Sequence, residues 1–326
     1  MTRTALLKLL WERADDYVSG EELAGKLHLS RTAVWKGIEQ LREEGYLIDS
    51  VTRRGHRLSS LSDVLSEERI REYLNTEGLR LQVRRTVTST NTVLKTLAEQ
   101  GEAEGLCLLA EEQTAGRGRR GRNFWSPKGG GLYLSLLLRP KLQAADTTAV
   151  TTCAAVAVAQ AIESLAPVRA EIKWVNDIFV EGKKVCGILT EASLDCESGG
   201  VHYVIVGIGI NTRLPEQGCP EELRNIAGSA FGKTLIPELR CRLTAAVLDR
   251  FMESYHDLNR RSWFDEYRER SLILGKPVLI LQADRTPEQA EAVGLGEDFS
   301  LLVRMQSGEI RSLNTGEVSI QPGEFS

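Results

Sequence analysis

The sequence predicts an α+β protein built from more than one domain. Its 326 residues exceed the usual size of one domain, and a chain with 42% hydrophobic and 26% charged residues is typical of folded globular proteins. The first sixty residues carry helical apolar spacings followed by two short strand patterns, and the remainder alternates apolar strands with helices. We therefore expect a small, mainly helical N-terminal domain and a larger α/β domain after it.

Three helices and a β-hairpin are predicted within residues 1–58. Apolar residues repeat with a helical period over residues 2–16, and Ser19 and Ser30 can cap two further helices, the second of which ends at Gly45. This order is typical of a winged helix-turn-helix, whose third helix enters the DNA major groove. The predicted DNA contacts are Arg31, Thr32, Lys36, Arg53 and Arg54. The alternative is a small three-helix interaction domain.

The overall composition limits the possible functions. A net charge of −4 means that any nucleic-acid contact must come from a local basic patch. The six cysteines form no C-x-x-C pair and the four histidines are scattered, which argues against a disulfide framework or a zinc site. No secretory signal opens the sequence, and the apolar tract 149–162 is alanine-rich and interrupted by polar residues, as in a packed core helix. We therefore expect a cytoplasmic protein without a membrane span.

The predicted central domain begins after a serine-rich linker at residues 59–63. A helix near residues 67–74 and a strand at 81–87 come first, and a second helix is expected at 93–100. Ser89, Thr90 and Asn91 fall at this junction between strand and helix. Such side chains either cap the helix or bind the polar head of a ligand in a pocket, and their sequence alone does not decide between the two.

A loop rich in glycine and arginine follows the next apolar strand, at residues 111–122. Three glycines interleaved with four arginines make a poor helix, whereas they suit a mobile loop that closes over an anion. Guanidinium groups bind phosphate or carboxylate oxygens in pairs. The alternative for this loop is a basic surface segment for nucleic acid.

Three glycines interrupt the later strands of the predicted central domain. Gly187, Gly207 and Gly209 lie within apolar strand patterns, where a glycine often marks close approach of a ligand to the backbone. These positions predict one shared ligand surface. The pair at 207 and 209 is not a dinucleotide-binding fingerprint, because no third glycine and no helix start follow it.

Taken in order, these motifs resemble those of the bifunctional biotin–protein ligases that double as biotin operon repressors. The matching stretches are residues 89–91, 113–122, 173–177, 184–191 and 207–211. The resemblance spans nearly the entire chain and implies a central mixed α/β domain like class II synthetase cores and a C-terminal SH3-like β-barrel. The domain boundaries that we predict are 1–62, 63–270 and 271–326.

The resemblance implies a reaction in two steps. Biotin and MgATP give biotinyl-5′-adenylate and pyrophosphate, and a lysine of a biotin carboxyl carrier protein, such as that of acetyl-CoA carboxylase, then takes the biotinyl group. No enzyme nucleophile is evident in the sequence and none is needed, because the biotin carboxylate itself attacks the α-phosphate. The implied partners also include operator DNA, which the repressor binds as a homodimer.

The resemblance also assigns roles to individual residues. The implied biotin-binding residues are Ser89, Thr90, Asn91, Gln113, Arg117, Gly118, Arg119, Lys184 and Gly187. The implied ATP-binding residues are Arg119, Arg122, Asn176, Asp177 and Asn211, with Asp177 also as the Mg²⁺ ligand. Lys184, Arg119 and Arg122 are the implied catalytic residues, because they would offset repulsion between the carboxylate and the phosphates.

The chain departs from the family pattern at three places. Val175 replaces a usual proline, and Phe124-Trp125 reverses a common aromatic order. No tryptophan lies between Asn211 and Trp263, where some relatives stack one on adenine, which leaves Phe231 as the candidate. Two rival functions remain open at this point: a lipoate–protein ligase, and a transcriptional sensor that binds a small acid without catalysis.

Overall fold

The computed structural model describes residues 2–194, 200–214, 219–281, 286–314 and 317–320. The chain divides into two compact units. Unit 1 comprises Met1–Tyr73 with Lys233–Leu243, and unit 2 comprises Leu74–Gly232 with Thr244–Ser326. The domain boundaries after residues 62 and 270 stay predictions.

Unit 1 is the predicted winged helix-turn-helix. Its elements in chain order are α1 (Thr2–Glu12), α2 (Gly20–Leu27), α3 (Arg31–Glu44), β1 (Ile48–Val51), β2 (Gly55–Leu58) and α4 (Glu67–Tyr73). The Ser19 and Ser30 hydroxyls accept hydrogen bonds from the backbone N–H groups of Glu22 at 3.0 Å and Ala33 at 3.1 Å. Gly45 ends α3 in the left-handed conformation with φ of 105°. The predicted caps of these two helices are therefore confirmed.

The core of unit 1 is formed by apolar side chains from α1, α2, α3 and the β1–β2 hairpin. Its fully buried members include Leu6, Leu10, Leu23, Val34, Ile38, Leu41 and Leu58. Because β1 and β2 pair in antiparallel register from Ile48–Leu58 to Val51–Gly55, the hairpin turn projects Arg53 and Arg54 beyond the core.

A shielded ion pair joins the segment 233–243 to α4 within unit 1. Arg69 Nε donates to Glu238 Oε1 at 2.5 Å, and the guanidinium also binds the second carboxylate oxygen. Tyr73 donates its hydroxyl to the same carboxylate at 2.7 Å, and Arg69 lies 4.9 Å from the centroid of the Trp11 ring. The Glu238 side chain is only 6% exposed, so this pair is largely removed from water.

Unit 2 is built on a mixed seven-stranded sheet. Its strands are β3 (Arg80–Val87), β4 (Leu106–Gln113), β5 (Leu132–Leu138), β6 (Ala170–Lys173), β7 (Asp177–Val180), β8 (Lys183–Leu194) and β9 (Val201–Ile210). They lie in the order β3-β4-β5-β9-β8-β7-β6, in which the β3–β4 pair is parallel and every other pair antiparallel. The mixed sheet confirms the predicted α/β class of this region.

Four further α-helices follow in the chain, the third of which begins in unit 1. They are α5 (Thr90–Glu99), α6 (Thr147–Leu165), α7 (Leu239–Tyr255) and α8 (Phe264–Glu269). Helix α6 is long and apolar enough to cross a membrane by length and composition, but most of its side chains are buried in the fold. It is therefore the packed core helix that the alanine-rich tract predicts.

Helix α5 begins three residues earlier than the sequence predicts, so Thr90 and Asn91 belong to its first turn. Ser89 stands at the N-cap position, but its side chain makes no capping hydrogen bond. The helix turn aims Thr90 and Asn91 inward instead, and all three side chains are buried. Of the two alternatives for this junction, simple capping by Ser89 is therefore excluded.

The C-terminal part of unit 2 is a five-stranded antiparallel sheet, as expected for the predicted small β domain. Its strands are β10 (Pro277–Leu281), β11 (Glu288–Leu295), β12 (Leu301–Met305), β13 (Ile310–Leu313) and β14 (Glu317–Ile320). They pair in the order β13-β12-β11-β10-β14. Val278, Ala292, Leu301 and Val303 are buried on the inner face of this sheet.

Candidate functional site

A cavity of about 280 Å³ in unit 2 brings together every residue predicted to bind biotin or ATP. These residues come from α5, β4, the arginine loop (residues 114–123), β7, β8 and the end of β9. They are Ser89, Thr90, Asn91, Gln113, Arg117, Gly118, Arg119, Arg122, Asn176, Asp177, Lys184, Gly187 and Asn211. These residues span more than a hundred positions of the sequence. The order of the strands in the sheet brings them together.

One end of the cavity is a buried network of hydroxyl and amide groups. Gln113 Oε1 accepts from the Thr90 backbone N–H at 2.8 Å and lies 3.1 Å from Thr90 Oγ1. Ser135 Oγ lies 2.7 Å from Thr90 Oγ1 and 2.6 Å from Asn91 Oδ1. Asn91 Nδ2 donates to Glu191 Oε2 at 2.8 Å. This end is suited to the polar head of a ligand rather than to an apolar group.

The strand glycines make room for the side chains that line this cavity. In the β5–β9–β8 register Gly207 lies opposite both Ser135 and Leu189, and a Cβ at Gly207 would come within 2.1 Å of Asn91 Oδ1. A Cβ at Gly209 would come within 2.5 Å of the Phe124 ring. The three strand glycines line this one cavity, and the side chains of Asn91 and Phe124 pack against Gly207 and Gly209. That a ligand lies on this surface stays a prediction.

Two side chains of the arginine loop contact β8 and the turn that precedes β7. Arg117 Nη1 lies 3.0 Å from Glu191 Oε1, and Arg119 Nη1 donates to Asn176 Oδ1 at 3.0 Å. Within the loop, the backbone N–H of Gly118 donates to the Arg122 carbonyl at 2.7 Å. The loop therefore presents several guanidinium groups along one wall of the cavity.

The other end of the cavity holds an ammonium group beside a carboxylate. Lys184 Nζ lies 2.6 Å from Asp177 Oδ2, and Asp177 Oδ1 accepts from Asn176 Nδ2 at 3.0 Å. The Lys184 backbone is fixed on both sides, since its N–H donates to Ile226 and its carbonyl accepts from Gly228. Both charged side chains remain partly exposed to the cavity, at 31% and 21%.

Two polar residues that contact the site residues received no predicted role, although Glu191 falls within the matched stretch 184–191. Ser135 is a single polar residue inside an apolar strand, and Glu191 lies near the end of β8. The sequence signal for Ser135 is its polarity within an otherwise apolar buried strand, whereas the signal for Glu191 is its place at the end of the matched stretch 184–191. Glu191 contacts both Asn91 and Arg117, so it links the network of hydroxyl and amide groups to the arginine loop.

The candidate for adenine stacking is wrong. Phe231 is 2% exposed and does not line the cavity. The segment just before it contributes Leu223, Ile226 and Ala227 to the cavity wall instead, and Ile226 is 54% exposed. Phe231 is apolar enough to pack inward, which is why it is unavailable to a ligand.

The described cysteines are free thiols, and most of them are buried. Cys107, Cys153, Cys186 and Cys241 are buried free thiols, and Cys219 is partly exposed, whereas Cys196 lies outside the described residues. Burial raises the pKa of the Cys107 thiol to about 12, so it carries no nucleophilic thiolate. Among the described residues, no group of three or more His, Cys, Asp or Glu side chains is placed to hold a metal ion.

The predicted DNA-contacting side chains all lie exposed on unit 1. Arg31, Thr32 and Lys36 project from α3, and Arg53 and Arg54 from the β1–β2 turn. Arg54 and Arg57 lie 4.2 Å and 4.9 Å from the centroid of the Tyr17 ring, where cation–π attraction stabilises them. Arg31 forms an exposed ion pair with Glu21 at 2.5 Å, a type of pair that contributes little and exchanges readily.

Comparison with known proteins finds a family match within each of the two units. Residues 83–211 match the biotin/lipoate A/B protein ligase family, and residues 2–57 match an HTH domain family. The chain is 43% identical over 229 residues to the bifunctional ligase/repressor BirA of Bacillus spizizenii, which covers 70% of each protein. It is 29% identical over 333 residues to BirA of Escherichia coli, which covers 98% of each. The structure of the Aquifex aeolicus biotin protein ligase in complex with biotin and ATP matches 74% of this chain and 98% of that one, with 31% identity and a TM-score of 0.62.

Proposed function

The chain belongs to the biotin/lipoate A/B protein ligase family, and we propose that it is an ATP-dependent biotin–protein ligase that also represses transcription. In the first step the biotin carboxylate attacks the α-phosphate of ATP, so that a carboxylate–phosphate bond forms, the bond between the α- and β-phosphates breaks, and pyrophosphate leaves. In the second step a lysine amine of the acceptor attacks the activated carbonyl, and AMP leaves. The acceptor that we propose is the biotin carboxyl carrier protein of acetyl-CoA carboxylase or of another carboxylase.

The observation that carries this proposal is the arrangement of charges along one cavity. Thr90 and Asn91 belong to one network of hydroxyl and amide groups. Arg119 instead contacts Asn176, which lies beside the pair of Asp177 and Lys184. A ligand with a polar uncharged head and an acidic tail would therefore place its carboxylate among the cations. Biotin has this chemistry, and the cations would also bind the phosphates of ATP.

The roles that we propose follow this polarity. Ser89, Thr90, Asn91 and Gln113 bind the biotin head against Gly187, and the backbone near Gly118 closes over it. Arg119 and Arg122 bind phosphate, while Lys184 holds the carboxylate and the α-phosphate together. Asn176, Asp177 and Asn211 bind the nucleotide. Ile226, apolar and exposed at the cavity wall, offers a surface for the adenine ring.

Magnesium would enter with ATP as part of the substrate. Asp177 is the one acidic residue among the described residues that line the cavity, and Mg²⁺ is usually held by one or two carboxylates together with substrate phosphates. This donor set fits an ion delivered by the nucleotide. We assign Asp177 to it, with Lys184 remaining paired to the same carboxylate when the ion is absent.

A pyrophosphate-release assay tests the ligase function. The full-length protein with MgATP and biotin should release pyrophosphate and retain a bound adenylate, and addition of a carboxyl carrier protein should give a biotinylated lysine. Octanoate and lipoate in place of biotin are the comparison, because the family also includes lipoate ligases. Turnover with lipoate alone would overturn the biotin assignment, and no turnover with any acid would favour a sensor.

The repressor function follows from unit 1, with an operator and a homodimer as the proposed partners. Two recognition helices in a dimer would read half-sites separated by one or more helical turns of DNA. If the adenylate orders the arginine loop and this loop borders the dimer surface, ligand binding raises DNA affinity by linkage. Operator binding measured with and without biotin and ATP tests this coupling, and identical affinities would refute it.

Replacing Glu191 with glutamine should weaken biotin binding about tenfold. The carboxylate accepts a hydrogen bond from Asn91 and pairs with Arg117, and hydrogen bonds to charged groups contribute on the order of 1.5–3 kcal/mol. Because Glu191 acts through these two residues, the dissociation constant for biotin should rise more than the adenylation rate falls. Titration calorimetry and single-turnover rates measure the two effects.

Glu112→Gln is the matched control for this substitution. Glu112 lies on β4, which β5 and β9 separate from β8, and it is outside the cavity lining. Its contact with Thr86 is long, at 3.4 Å. Glu112→Gln should leave both the dissociation constant for biotin and the adenylation rate unchanged. Unaltered biotin affinity in the Glu191 variant would show that Asn91 is positioned without it.

A further inference from the structure

A large apolar side chain on α3 is exposed and lies outside the core of unit 1. Trp35 is 56% exposed, although the neighbouring helix positions Val34 and Ile38 are fully buried. Trp35 follows Arg31 by four residues, so the two side chains lie on the same face of the helix. The exposed face of the recognition helix therefore combines an indole ring with a guanidinium group.

The surroundings of Trp35 fit double-stranded DNA better than an apolar protein surface. Thr32 and Lys36, also exposed, flank it on the same half of α3, and the wing adds Arg53 and Arg54. The acidic residues of α3 lie at and beyond Glu39, nearer the C-terminal end. In helix-turn-helix domains it is the N-terminal part of the recognition helix that contacts base edges.

We propose that Trp35 is a specificity-determining residue that contacts the 5-methyl group of a thymine in the major groove. The proposal rests on the repressor function proposed above and deepens it. Among the groups that base pairs present in the major groove, the thymine methyl is the apolar one, whereas guanine, cytosine and adenine present donors and acceptors. An indole offers a large apolar edge, so methyl contact is the base readout that its chemistry favours.

The test uses thymine-to-deoxyuridine replacement, which deletes only the methyl group. Binding sites are first selected from a random duplex pool by the full-length protein in the presence of biotin and MgATP. Each thymine of a selected half-site is then replaced in turn, and affinity is measured by fluorescence anisotropy. We expect one or two replacements to weaken wild-type binding about three- to fivefold, as burial of one methyl group implies.

The decisive comparison is with Trp35→Ala and Trp35→Phe. Trp35→Ala should bind the selected site at least about tenfold more weakly and should no longer respond to the sensitive replacement. Its affinity for random DNA and its salt dependence should stay unchanged, because these report phosphate contacts. Trp35→Phe, which keeps an apolar ring, should recover part of the methyl response.

Two controls separate this role from a structural one. Leu47, 55% exposed in the same unit but outside α3, is the matched residue, and Leu47→Ala should leave both affinity and methyl response unchanged. Pyrophosphate release and thermal melting of the Trp35 variants should equal those of the wild type, since Trp35 is remote in sequence from the cavity residues and exposed.

The outcomes distinguish the proposal from the function on which it rests. If the wild-type protein selects no sequence, the repressor function and the role of Trp35 both fail. If it selects a site but no methyl deletion matters, or if Trp35→Ala keeps the methyl response, the repressor function stands and Trp35 is not a base-reading residue. A change in oligomeric state with unchanged base discrimination would also overturn the proposal and would assign Trp35 to a contact between copies of the chain.

Discussion

Replacement of Lys184 with alanine should slow adenylate formation by about 10²–10³-fold while the protein stays folded. The ammonium group lies 2.6 Å from Asp177 at the end of the cavity where the carboxylate and the α-phosphate would meet. Removing one preorganised group that stabilises developing charge typically costs about this factor. Single-turnover pyrophosphate release, measured at saturating biotin and MgATP, isolates the chemical step from binding.

The adjacent lysine provides the control for this prediction. Lys183 donates to the backbone carbonyl of Asn225 at 2.8 Å, and it does not line the cavity. Lys183→Ala should therefore retain adenylation within about twofold, apart from a small loss of stability. Equal rates in the Lys184 variant and the wild type would exclude Lys184 from the reaction, and equal losses in both variants would indicate a structural effect on the turn.

Local signals in the sequence account for much of unit 1. Ser19 and Ser30 form the hydrogen bonds expected of capping residues, and Gly45 adopts the left-handed conformation that ends α3. Caps are short-range interactions, so their residue types suffice to predict them. Ser89 also precedes a helix, yet its side chain is buried and makes no capping hydrogen bond. At this helix start it is Gln113 Oε1 that accepts a hydrogen bond from the Thr90 backbone N–H.

The cavity was predictable as a set of residues but not as an arrangement. The strand glycines indicated a ligand surface, yet the sequence does not show that Gly207 faces Asn91 or that Ser135 completes the network between them. These contacts depend on the pairing of β5 with β9 and of β9 with β8, and strand register is set by nonlocal packing. Glu191 falls within the matched stretch 184–191, but its contacts with Asn91 and Arg117 are nonlocal in the same way.

Substitution of Glu238 with glutamine should destabilise unit 1 by about 3 kcal/mol, the lower end of the range for a broken buried ion pair. The substitution leaves the Arg69 guanidinium, itself 16% exposed, without its shielded carboxylate partner. Glutamine keeps the size of the side chain and tolerates the left-handed φ of 48° as glutamate does, so the effect reports charge and not backbone strain. Hydrogen exchange in peptides from α1, α3 and α4 should accelerate roughly a hundredfold, while peptides from β4 and β5 serve as the internal reference.

Two further variants define what the Glu238 result means. Glu72 pairs with the same Arg69 but is 58% exposed, so Glu72→Gln should cost less than about 1 kcal/mol. The double variant Arg69→Met with Glu238→Gln removes both charges and should recover much of the stability lost in the single variant, because no unpaired charge then stays buried. If Glu72→Gln and Glu238→Gln were equally mild, burial would not strengthen the pair, and the attachment of segment 233–243 to α4 would depend on its apolar contacts instead.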